Sequence, residues 1–468
     1  MAQLFIPKIF ESPLTPHQRM DGLRWYTAET IEQVFQKVQS STYDDEFVPP
    51  IQSTFTLVLA SKTEEMYNKE KSRAQRAKRN KVWRTPAGSF FTPFPVGKNA
   101  KISFVYGDAL SPTVHCIERL FNSLPLRLQH ATQLMWGKQE VIQQPTTTTM
   151  TQIQKNNVAT LVSWCTTLLM KEYGIEPDGV LGFSLGELIG RWVNKRTIQQ
   201  QWIKDMSSYD EVNPMWENDL LSGEMNILQT AWNNIEAETT ESLESSKSES
   251  SESKLQSKLQ PKPKWTSWLI DGCLVENVVS NLTERTRVPV IETNTRCILV
   301  GEEDECRRVA AIAGCKQMIP FASMSLVAHV DWVPRDILMQ AANEMSRLSK
   351  DDEMKHWFPE MYSQTADFRT SVLEAYHEHN MRIFIEVGCC SHRTSSIETI
   401  LADYDDVVHV AMNRDGDPKI MRMKAMAELL SHGIVGSSFV CETKEPTFIP
   451  VRKVVAGKYF HMIKPSKY

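Results

Sequence analysis

The chain has 468 residues, of which 41% are apolar and 23% charged, and at roughly 150 residues per domain this length predicts two or three domains. Its 57 acidic residues outnumber its 52 basic ones, which excludes binding of nucleic acid or anionic membranes through overall positive charge. No apolar run reaches the roughly 20 residues that a membrane helix needs, and Met1–Pro13 lacks a signal-peptide pattern. Nine cysteines without a CxxC pair argue against a zinc cluster, and their odd number argues against a disulfide framework. We therefore expect a soluble cytoplasmic protein without a bound metal.

Residues 1–98 are predicted to form a linker-like N-terminal α/β region. Thr54–Ala60 has the apolar, β-branched composition of a strand, and Lys62–Lys78 has the composition of a polar helix. The segment Thr85–Gly97, TPAGSFFTPFPVG, follows, and its prolines and glycines indicate a rigid irregular link.

Residues 99–237 alternate between strand and helix patterns. Strands are predicted at Lys101–Tyr106 and Gly179–Phe183, and helices at Pro112–Leu124, Asn157–Tyr173 and from Leu185 onward. This alternation is typical of a parallel sheet covered by helices.

The composition changes after residue 237. Glu238–Lys264 contains no aromatic residue and is rich in Ser, Glu and Lys, so we expect a disordered insertion. Residues 265–328 then follow the order strand, helix, two strands, helix, strand, which is that of the ferredoxin-like unit. The segments concerned are Trp265–Asp271, Leu274–Thr286, Val288–Gly301, Asp304–Ala313 and Lys316–Ser325.

Residues 329–440 are predicted to return to the first sheet. Arg382–Val387 and Val407–Met412 have the apolar composition of core strands, and Ile420–Ser431 is predicted to be a helix. Residues 441–468 are predicted to be a C-terminal extension.

The sharpest motif is Gly182-Phe183-Ser184-Leu185-Gly186, between a predicted strand and a predicted helix. This is the context of a nucleophile elbow, in which the glycines permit a sharp turn and Ser184 projects from the start of the helix. The N–H of Leu185, a donor without a partner inside the helix, would then stabilise an oxyanion. The alternative interpretation is that Ser184 only caps the helix.

A serine nucleophile needs a base, which near pH 7 is usually a neutral imidazole. Of the eleven histidines, His329 follows the last strand of the predicted ferredoxin-like unit, where the chain re-enters the large domain. We therefore consider His329 as the base, although a histidine among apolar residues is also typical of a packed core.

These segments resemble the malonyl-CoA:acyl carrier protein acyltransferase family. GVLGFSLGELIG is similar to the family's GHSxGE motif, with Phe183 in place of its histidine, which implies that Ser184 is the nucleophile. VAHV is similar to the family's AFHS segment and implies that His329 is the general base, while Phe384–Gly388, FIEVG, resembles its EvGP strand. TPAGSFFTPFPVG, KISFVYGDALSP, LLSGEMNILQTAW and MAELLSHGI narrow the resemblance to the acyltransferase subunit of polyunsaturated fatty acid synthases.

The resemblance implies an α/β acyltransferase fold. Its α/β-hydrolase-like large domain, with a parallel sheet, would comprise residues 99–237 and 329–440, and the inserted ferredoxin-like small subdomain residues 265–328. The implied reaction moves an acyl group, malonyl-type or neutral, from acyl-CoA to an acyl carrier protein through an ester on Ser184, without a bound cofactor. The implied partners are acyl-CoA, a carrier protein or carrier domain, and other fatty acid or polyketide synthase subunits.

The chain departs from the family pattern at the position that pairs with malonate. The family has an arginine about one helix beyond the serine, whereas residues 204–211 here read KDMSSYDE, and Arg191 and Arg196 lie earlier. Because lysine replaces a bidentate guanidinium poorly, malonyl selectivity is in question. The candidate substrate-binding residues are Gly182, Phe183, Gly186 and Arg191.

The second departure concerns the oxyanion loop. The family's YPGxG is replaced by Tyr106-Gly107-Asp108-Ala109-Leu110, in which Ala109 aligns with the second backbone donor of the oxyanion hole. A backbone N–H survives a change of side chain, but the loop has lost a proline and a glycine. A catalytically altered scaffold subunit of a synthase is therefore one alternative.

The other alternative is an acyl-thioesterase or esterase of the α/β-hydrolase class, which also uses GxSxG. That class places an acid between the serine and the histidine, where this chain has the ferredoxin-like unit and the insertion. The basic run Lys69–Lys81 is compatible with a solvated helix face or with a docking patch for an acidic carrier protein. We expect no nucleic-acid binding there, because the run lacks interleaved aromatic residues.

Overall fold

The structure, a computed structural model, describes residues 22–44, 54–97, 99–107, 152–183, 186–187, 189–191, 193, 265–321, 335–349, 354–388, 391–414, 417–434, 447–449 and 452–454. These residues form two compact units, which are residues 22–193 with 373–449 and residues 265–372 with 452–454. The predicted helix Pro112–Leu124 and the predicted insertion Glu238–Lys264 lie outside the described residues. The predicted domain limits stay predictions.

Fifteen strands are numbered here in chain order within the described residues. They are β1 (Leu23–Ala28), β2 (Phe55–Ala60), β3 (Trp83–Arg84), β4 (Phe90–Phe91), β5 (Lys101–Tyr106), β6 (Gly179–Gly182), β7 (Trp265–Asp271), β8 (Thr286–Ile291), β9 (Arg296–Glu302), β10 (Gln317–Pro320), β11 (Thr365–Asp367), β12 (Met381–Glu386), β13 (Val408–Ala411), β14 (Thr447–Ile449) and β15 (Arg452–Val454).

The helices of the same residues are numbered in the same way. They are α1 (Ile31–Ser40), α2 (Glu64–Gln75), α3 (Gln152–Glu172), α4 (Val275–Ser280), α5 (Glu303–Ile312), α6 (Arg335–Ser349), α7 (Met354–Ser363), α8 (Phe368–His377), α9 (His392–Ile400) and α10 (Pro418–Ser431). The described positions between residues 186 and 193 are also helical, as predicted for the segment that begins at Leu185.

The N-terminal region contains an antiparallel sheet in the order β1-β2-β4-β3. The predicted strand and helix correspond to β2 and α2, while β1 and α1 are additional elements. α1 begins with a capping box, in which the Thr30 hydroxyl accepts from the Gln33 N–H and the Gln33 side chain accepts from the Thr30 N–H. The prediction of an irregular link over Thr85–Gly97 is wrong at Phe90–Phe91, because these residues form β4.

Helix α10 holds the N-terminal sheet within its unit. The Ser431 hydroxyl donates to the Thr56 carbonyl at 2.7 Å and accepts from the Thr92 N–H at 3.0 Å. Gly88, in the left-handed region at φ +105°, lets the chain pass Lys424, because a Cβ there would lie 2.5 Å from Lys424 Cγ. The buried serine thus supplies hydrogen bonds to two backbone groups that water cannot reach.

The first unit is built on a parallel sheet in the order β13-β12-β5-β6-β14. Strand β5 has the predicted limits, and β6, β12 and β13 lie within a residue of theirs. The chain passes from β5 through α3 to β6 on one side of β5, whereas β12 lies on its other side. The predicted parallel sheet is therefore confirmed, and β5 is its central strand.

The second unit has the predicted βαββαβ order, with an antiparallel sheet in the order β10-β7-β9-β8. This is the ferredoxin-like arrangement, and its helices α4 and α5 pack on a core that includes Ile270, Leu299 and Val309. The sheet is larger than predicted, because β11 pairs with β8 and β15 pairs with β11. Both additional strands have three residues, which is too short for a periodic pattern to be recognised.

Candidate active site

The carboxyl ends of the parallel strands meet at one edge of the first unit. Strand β5 ends at Tyr106, β6 at Gly182, β12 at Glu386 and β13 at Ala411. In open α/β sheets, ligands bind outside the carboxyl ends of the strands, next to the point where the connections change side. The predicted motif Gly182–Gly186 begins at this edge.

Two glycines let the segment after β6 pack closely on its neighbours. A Cβ on Gly182 would lie 2.4 Å from Glu187 Cα, and a Cβ on Gly186 would lie 2.1 Å from the Tyr106 carbonyl oxygen. Real Cβ atoms do not make contacts this short, and the opposing atoms are backbone atoms that cannot rotate away. These two positions therefore require glycine, as the sequence motif predicts.

Hydrogen bonds fix both sides of the turn. The Phe183 N–H donates to the Tyr106 carbonyl at 3.0 Å, which extends the pairing of β5 and β6 by one step. The Gly186 N–H donates to the Phe183 carbonyl at 2.8 Å, so the residue that follows β6 is bonded directly to the first described residue of the helix. A strand and a helix therefore follow one another across a short connection, which is the context of a nucleophile elbow.

The proposed reacting groups lie outside the described residues. Ser184 and Leu185 are the two residues between Phe183 and Gly186, and Ala109 follows the described part of the loop after β5 by two residues. His329 lies in the gap between 321 and 335. The roles of Ser184, Leu185, Ala109 and His329 thus stay predictions.

A third glycine, which has no role in the sequence prediction, continues the close packing. A Cβ on Gly190 would lie 2.9 Å from the Tyr106 ring and 3.1 Å from Val180 Cγ1. Gly186 and Gly190 are four residues apart and so face the same side of a helix. Their spacing is the signal that could have identified a helix face packed directly on β5 and β6.

Tyr106 is buried and anchored from the other direction. Its hydroxyl lies 2.8 Å from the Thr167 hydroxyl of α3. Tyr106 is thus held at its carbonyl by the Phe183 N–H and at its hydroxyl by Thr167. Both contacts fix the surface on which the helix packs.

Phe183 is buried beneath an arginine. Its side chain is 2% exposed, and the Arg393 guanidinium carbon lies 4.2 Å from the ring centroid. Such a cation–π contact contributes on the order of 2 kcal/mol when both partners are removed from water. The phenyl ring therefore packs against the start of α9, and its predicted substrate contact stays a prediction.

Glu386, at the end of β12, accepts hydrogen bonds from the start of the helix that carries this arginine. Its carboxylate accepts hydrogen bonds from the Thr394 N–H and hydroxyl, both at 2.7 Å, and from the Arg393 N–H at 3.3 Å. The carboxylate thus caps the first turn of α9, where the helix dipole favours negative charge. Burial raises the pKa of Glu386, while the bonds from Thr394 and the charge of Arg393 act in the opposite direction.

Asn413 connects three elements at the same edge. Its amide nitrogen donates to the Gly388 carbonyl at 2.7 Å and to the Thr166 hydroxyl of α3 at 2.9 Å. Gly388 in turn approaches the loop after β5, because a Cβ there would lie 3.2 Å from the Gly107 nitrogen. The segment FIEVG thus ends beside the loop that is predicted to complete the oxyanion hole.

Arg191, the candidate substrate-binding arginine, lies beside a buried carboxylate. Its Nη2 is 3.7 Å from Oε1 of Glu187, one helical turn earlier, and Glu187 is 2% exposed. An arginine next to a buried carboxylate compensates the charge of that carboxylate, so its own charge is already partnered before any substrate binds. Its contact with substrate stays a prediction.

The described ranges contain no group of three or more His, Cys, Asp or Glu side chains that could hold a metal ion. No helix of these ranges is both long and apolar enough to cross a membrane.

Solved acyltransferase domains share this fold. The acyltransferase domain of SpnD, in complex with 2-(pent-4-yn-1-yl)malonyl, is 12% identical with a TM-score of 0.55, and the similarity covers 88% of this chain and 96% of that one. The acyltransferase domain from module 8 of the salinomycin polyketide synthase is 12% identical with a TM-score of 0.57, covering 88% and 97%. The chain therefore has the fold of an acyltransferase domain, and the predicted fold class is confirmed.

A synthase component is also similar in sequence. A polyunsaturated fatty acid synthase subunit from Thraustochytrium sp. is 22% identical over 411 residues, which are 77% of this chain. The chain spans only 19% of the length of that relative. No protein-family profile matches the chain. The resemblance to the acyltransferase family, and within it to polyunsaturated fatty acid synthases, is thus confirmed.

Proposed function

We propose that this chain is an acyltransferase that moves an acyl group from acyl-CoA to the thiol of an acyl carrier protein in lipid synthesis. The observation that carries the proposal is the glycine-framed turn between Gly182 and Gly186, at the carboxyl edge of a parallel sheet, in a chain with an acyltransferase-domain fold. A turn of this kind presents the residue at its tip to a ligand at the sheet edge, and that residue is Ser184.

The proposed mechanism has two half-reactions. The Ser184 hydroxyl attacks the thioester carbonyl while His329 takes its proton, and the N–H groups of Leu185 and Ala109 stabilise the oxyanion. Collapse of the tetrahedral intermediate breaks the carbon–sulfur bond, and His329 returns the proton to the departing CoA sulfur. The carrier thiol then attacks the Ser184 ester, again with His329 as base, and the serine hydroxyl is regenerated.

The proposed partners are acyl-CoA, a carrier protein or carrier domain, and other subunits of a fatty acid or polyketide-type synthase. The similarity to a subunit of a polyunsaturated fatty acid synthase supports them. The ferredoxin-like unit lies between residues 184 and 329, where an α/β-hydrolase has the acid of its triad, which favours a transferase over an esterase.

Intact-mass measurement after acyl-CoA treatment tests the proposal. We expect one acyl adduct that persists in buffer and disappears when a carrier protein is added. Ser184→Ala and His329→Ala should remove or strongly slow adduct formation, whereas Ser395→Ala, at an exposed position of α9, should label like the wild type. Rapid hydrolysis of the adduct would indicate a thioesterase, and the absence of any adduct would indicate a scaffold subunit.

We further propose that neutral acyl groups load at least as well as malonyl groups. The positive charge of Arg191 is already balanced by Glu187, and an unpaired malonyl carboxylate would be costly to bury. Loading rates of acetyl-CoA and malonyl-CoA on the purified protein should therefore be similar, or acetyl-CoA should be faster. A malonyl preference above about tenfold, equivalent to about 1.4 kcal/mol, would contradict this and would indicate an arginine that reaches the substrate.

A further inference from the structure

Two cysteines of the ferredoxin-like unit lie at the same end of one strand pair. Cys273 follows the last residue of β7 by two positions, and Cys315 precedes the first residue of β10 by two. The antiparallel ladder ends with Asp271 paired to Gln317, and the Lys316 N–H still donates to the Asp271 carbonyl at 3.2 Å. The next residues stay close, because a Cβ on Gly272 would lie 2.9 Å from Lys316 Cβ.

The backbone holds both cysteines in place. Each follows a glycine in the left-handed region, Gly272 at φ +79° and Gly314 at φ +71°. The Gly272 N–H donates to the Thr295 carbonyl at 3.1 Å. The Cys315 N–H donates to the Ala310 carbonyl at 3.0 Å, and the Gly314 N–H donates to the Ala311 carbonyl at 3.1 Å. This is the hydrogen-bond pattern that ends many helices.

The two side chains also share one core. Cys273 is buried in the core beneath α4 and α5, Cys315 packs against the same core, and both cysteines are free in this structure. A disulfide needs Cα atoms roughly 4.4–6.8 Å apart, and the adjacent residues Gly272 and Lys316 bring the two chain segments into direct contact beside the cysteines. Cys273 is buried and Cys315 is partly exposed, so a small reagent reaches Cys315 first.

We propose that Cys273 and Cys315 form a reversible disulfide when the protein meets an oxidised low-molecular-weight thiol. The Cys315 thiolate attacks the reagent disulfide and expels one reagent thiol, leaving a mixed disulfide on Cys315. The Cys273 thiolate then attacks the Cys315 sulfur and expels the second reagent thiol. The two protons from the cysteines end on the two expelled thiols, so two cysteine thiols are oxidised and one reagent disulfide is reduced.

The chemistry of the site sets the rate of this exchange. Burial and the contact with Cys273 raise the pKa of the Cys315 thiol to about 12, so little thiolate is present near neutral pH. The reaction is therefore slow, and it depends on the neighbouring thiol to resolve each mixed disulfide once it forms. Cys297, on the adjacent strand β9, is fully buried in the same core and is a competing thiol.

The bond would join the end of β7 to the start of the edge strand β10. It would close a loop that contains α4, β8, β9 and α5, and a cross-link of this kind restricts the unfolded chain. The oxidised protein should accordingly melt at a higher temperature than the reduced protein, and a reductant should reverse the difference.

The test treats the full chain with oxidised glutathione, blocks the remaining thiols with an alkylating agent and identifies linked peptides by mass spectrometry. We expect a linked peptide that contains Cys273 and Cys315 and disappears on reduction. Cys273→Ser should leave a stable mixed disulfide on Cys315, and Cys315→Ser should abolish the linked peptide. Cys306→Ser, which removes a buried thiol of α5 in the same core, should retain it.

Two results would overturn the proposal. One is full alkylation of both cysteines after oxidation of a protein that remains folded by circular dichroism. The other is a set of links in which Cys273 or Cys315 joins other cysteines as often as the two join each other. Equal melting temperatures for the oxidised and reduced forms would refute the expected stabilisation of the β10 edge.

Discussion

Substitution of Gly186 by alanine tests whether the turn after β6 depends on direct backbone contact. The new Cβ would lie 2.1 Å from the Tyr106 carbonyl oxygen and 2.7 Å from the Gly107 carbonyl oxygen. An ordinary contact needs more than 3.4 Å, so the helix or the end of β5 must move by over an ångström. That movement stretches the bond from the Phe183 N–H to the Tyr106 carbonyl.

The size of the effect follows from the rigidity of the opposing atoms. Overpacking a core that can partly relax costs about 1–3 kcal/mol, and here the opposing atoms are carbonyl groups of the central strand. We expect Gly186→Ala to lower the free energy of unfolding by about 3 kcal/mol or more, and the melting temperature by about 6 °C or more. Acyl labelling of Ser184 should be lost even in the fraction that remains folded.

Two further glycines supply a graded comparison. Gly190→Ala meets a tyrosine ring and a valine methyl group at 2.9 and 3.1 Å, which are longer contacts than the 2.1 Å at Gly186, so the loss should be smaller. Gly97→Ala has open space around its Cβ but a φ of +80°, so only the strain of the left-handed region, about 1–2 kcal/mol, applies. Thermal melting and intact-mass labelling of the three variants measure the order of their losses in stability and in acyl labelling.

The order of the variants decides whether the reasoning holds. If Gly186→Ala melted within about 2 °C of Gly97→Ala and still formed the acyl adduct, the close contact with β5 would not constrain the turn. A loss of labelling in Gly97→Ala would instead show that labelling responds to glycine replacement in general.

Two other predictions concern stability. Burial lowers the pKa of His432 to about 4 from 6.5, so its ring is neutral in the folded chain. Because the unfolded chain binds the proton first, the free energy of unfolding should fall by about 3 kcal/mol as the pH decreases from about 6.5 to about 4. His432→Asn should flatten this dependence, whereas His377→Asn, at an exposed position, should not. Deletion of Glu238–Lys264 should leave the melting temperature and acyl labelling nearly unchanged, since loop closure depends only weakly on length; a large loss of either would contradict the predicted disorder.

The elements that the sequence predicts well are those whose signal is local. Strands β5 and β7 have the predicted limits, because each is a short apolar run bounded by charged or turn-forming residues. The ferredoxin-like order of residues 265–320 follows from alternating patterns of the same kind. The glycines of the motif at 182 and 186 could also be predicted, since only a residue without Cβ allows so close a turn.

The contacts that surround the motif could not be predicted, because they join residues far apart in the chain. Nothing near Tyr106 in the sequence indicates that its carbonyl meets Gly186, or that its hydroxyl meets Thr167. Glu386 belongs to a recognised segment, but its role as the cap of α9 depends on the position of β12 in the sheet. Strands β3, β4, β11, β14 and β15 are too short to carry a period.

The pairing of Phe183 with Arg393 gives a physical reason for a phenyl group where the family motif has histidine. The Arg393 side chain is 2% exposed and its guanidinium lies over the ring, so a protonated imidazole there would face a like charge in a buried site. A phenyl ring instead offers its electron-rich face to the cation and has no polar atom to satisfy. The Glu386 carboxylate acts in two ways. It caps α9, and its negative charge lies near the positive charge of Arg393 on the same helix. The residue before Ser184 is thus held from the side of β12 by a buried cluster that consists of Phe183, Arg393 and Glu386. On the side of β5, the close contacts of Gly182 and Gly186 hold the ends of the turn.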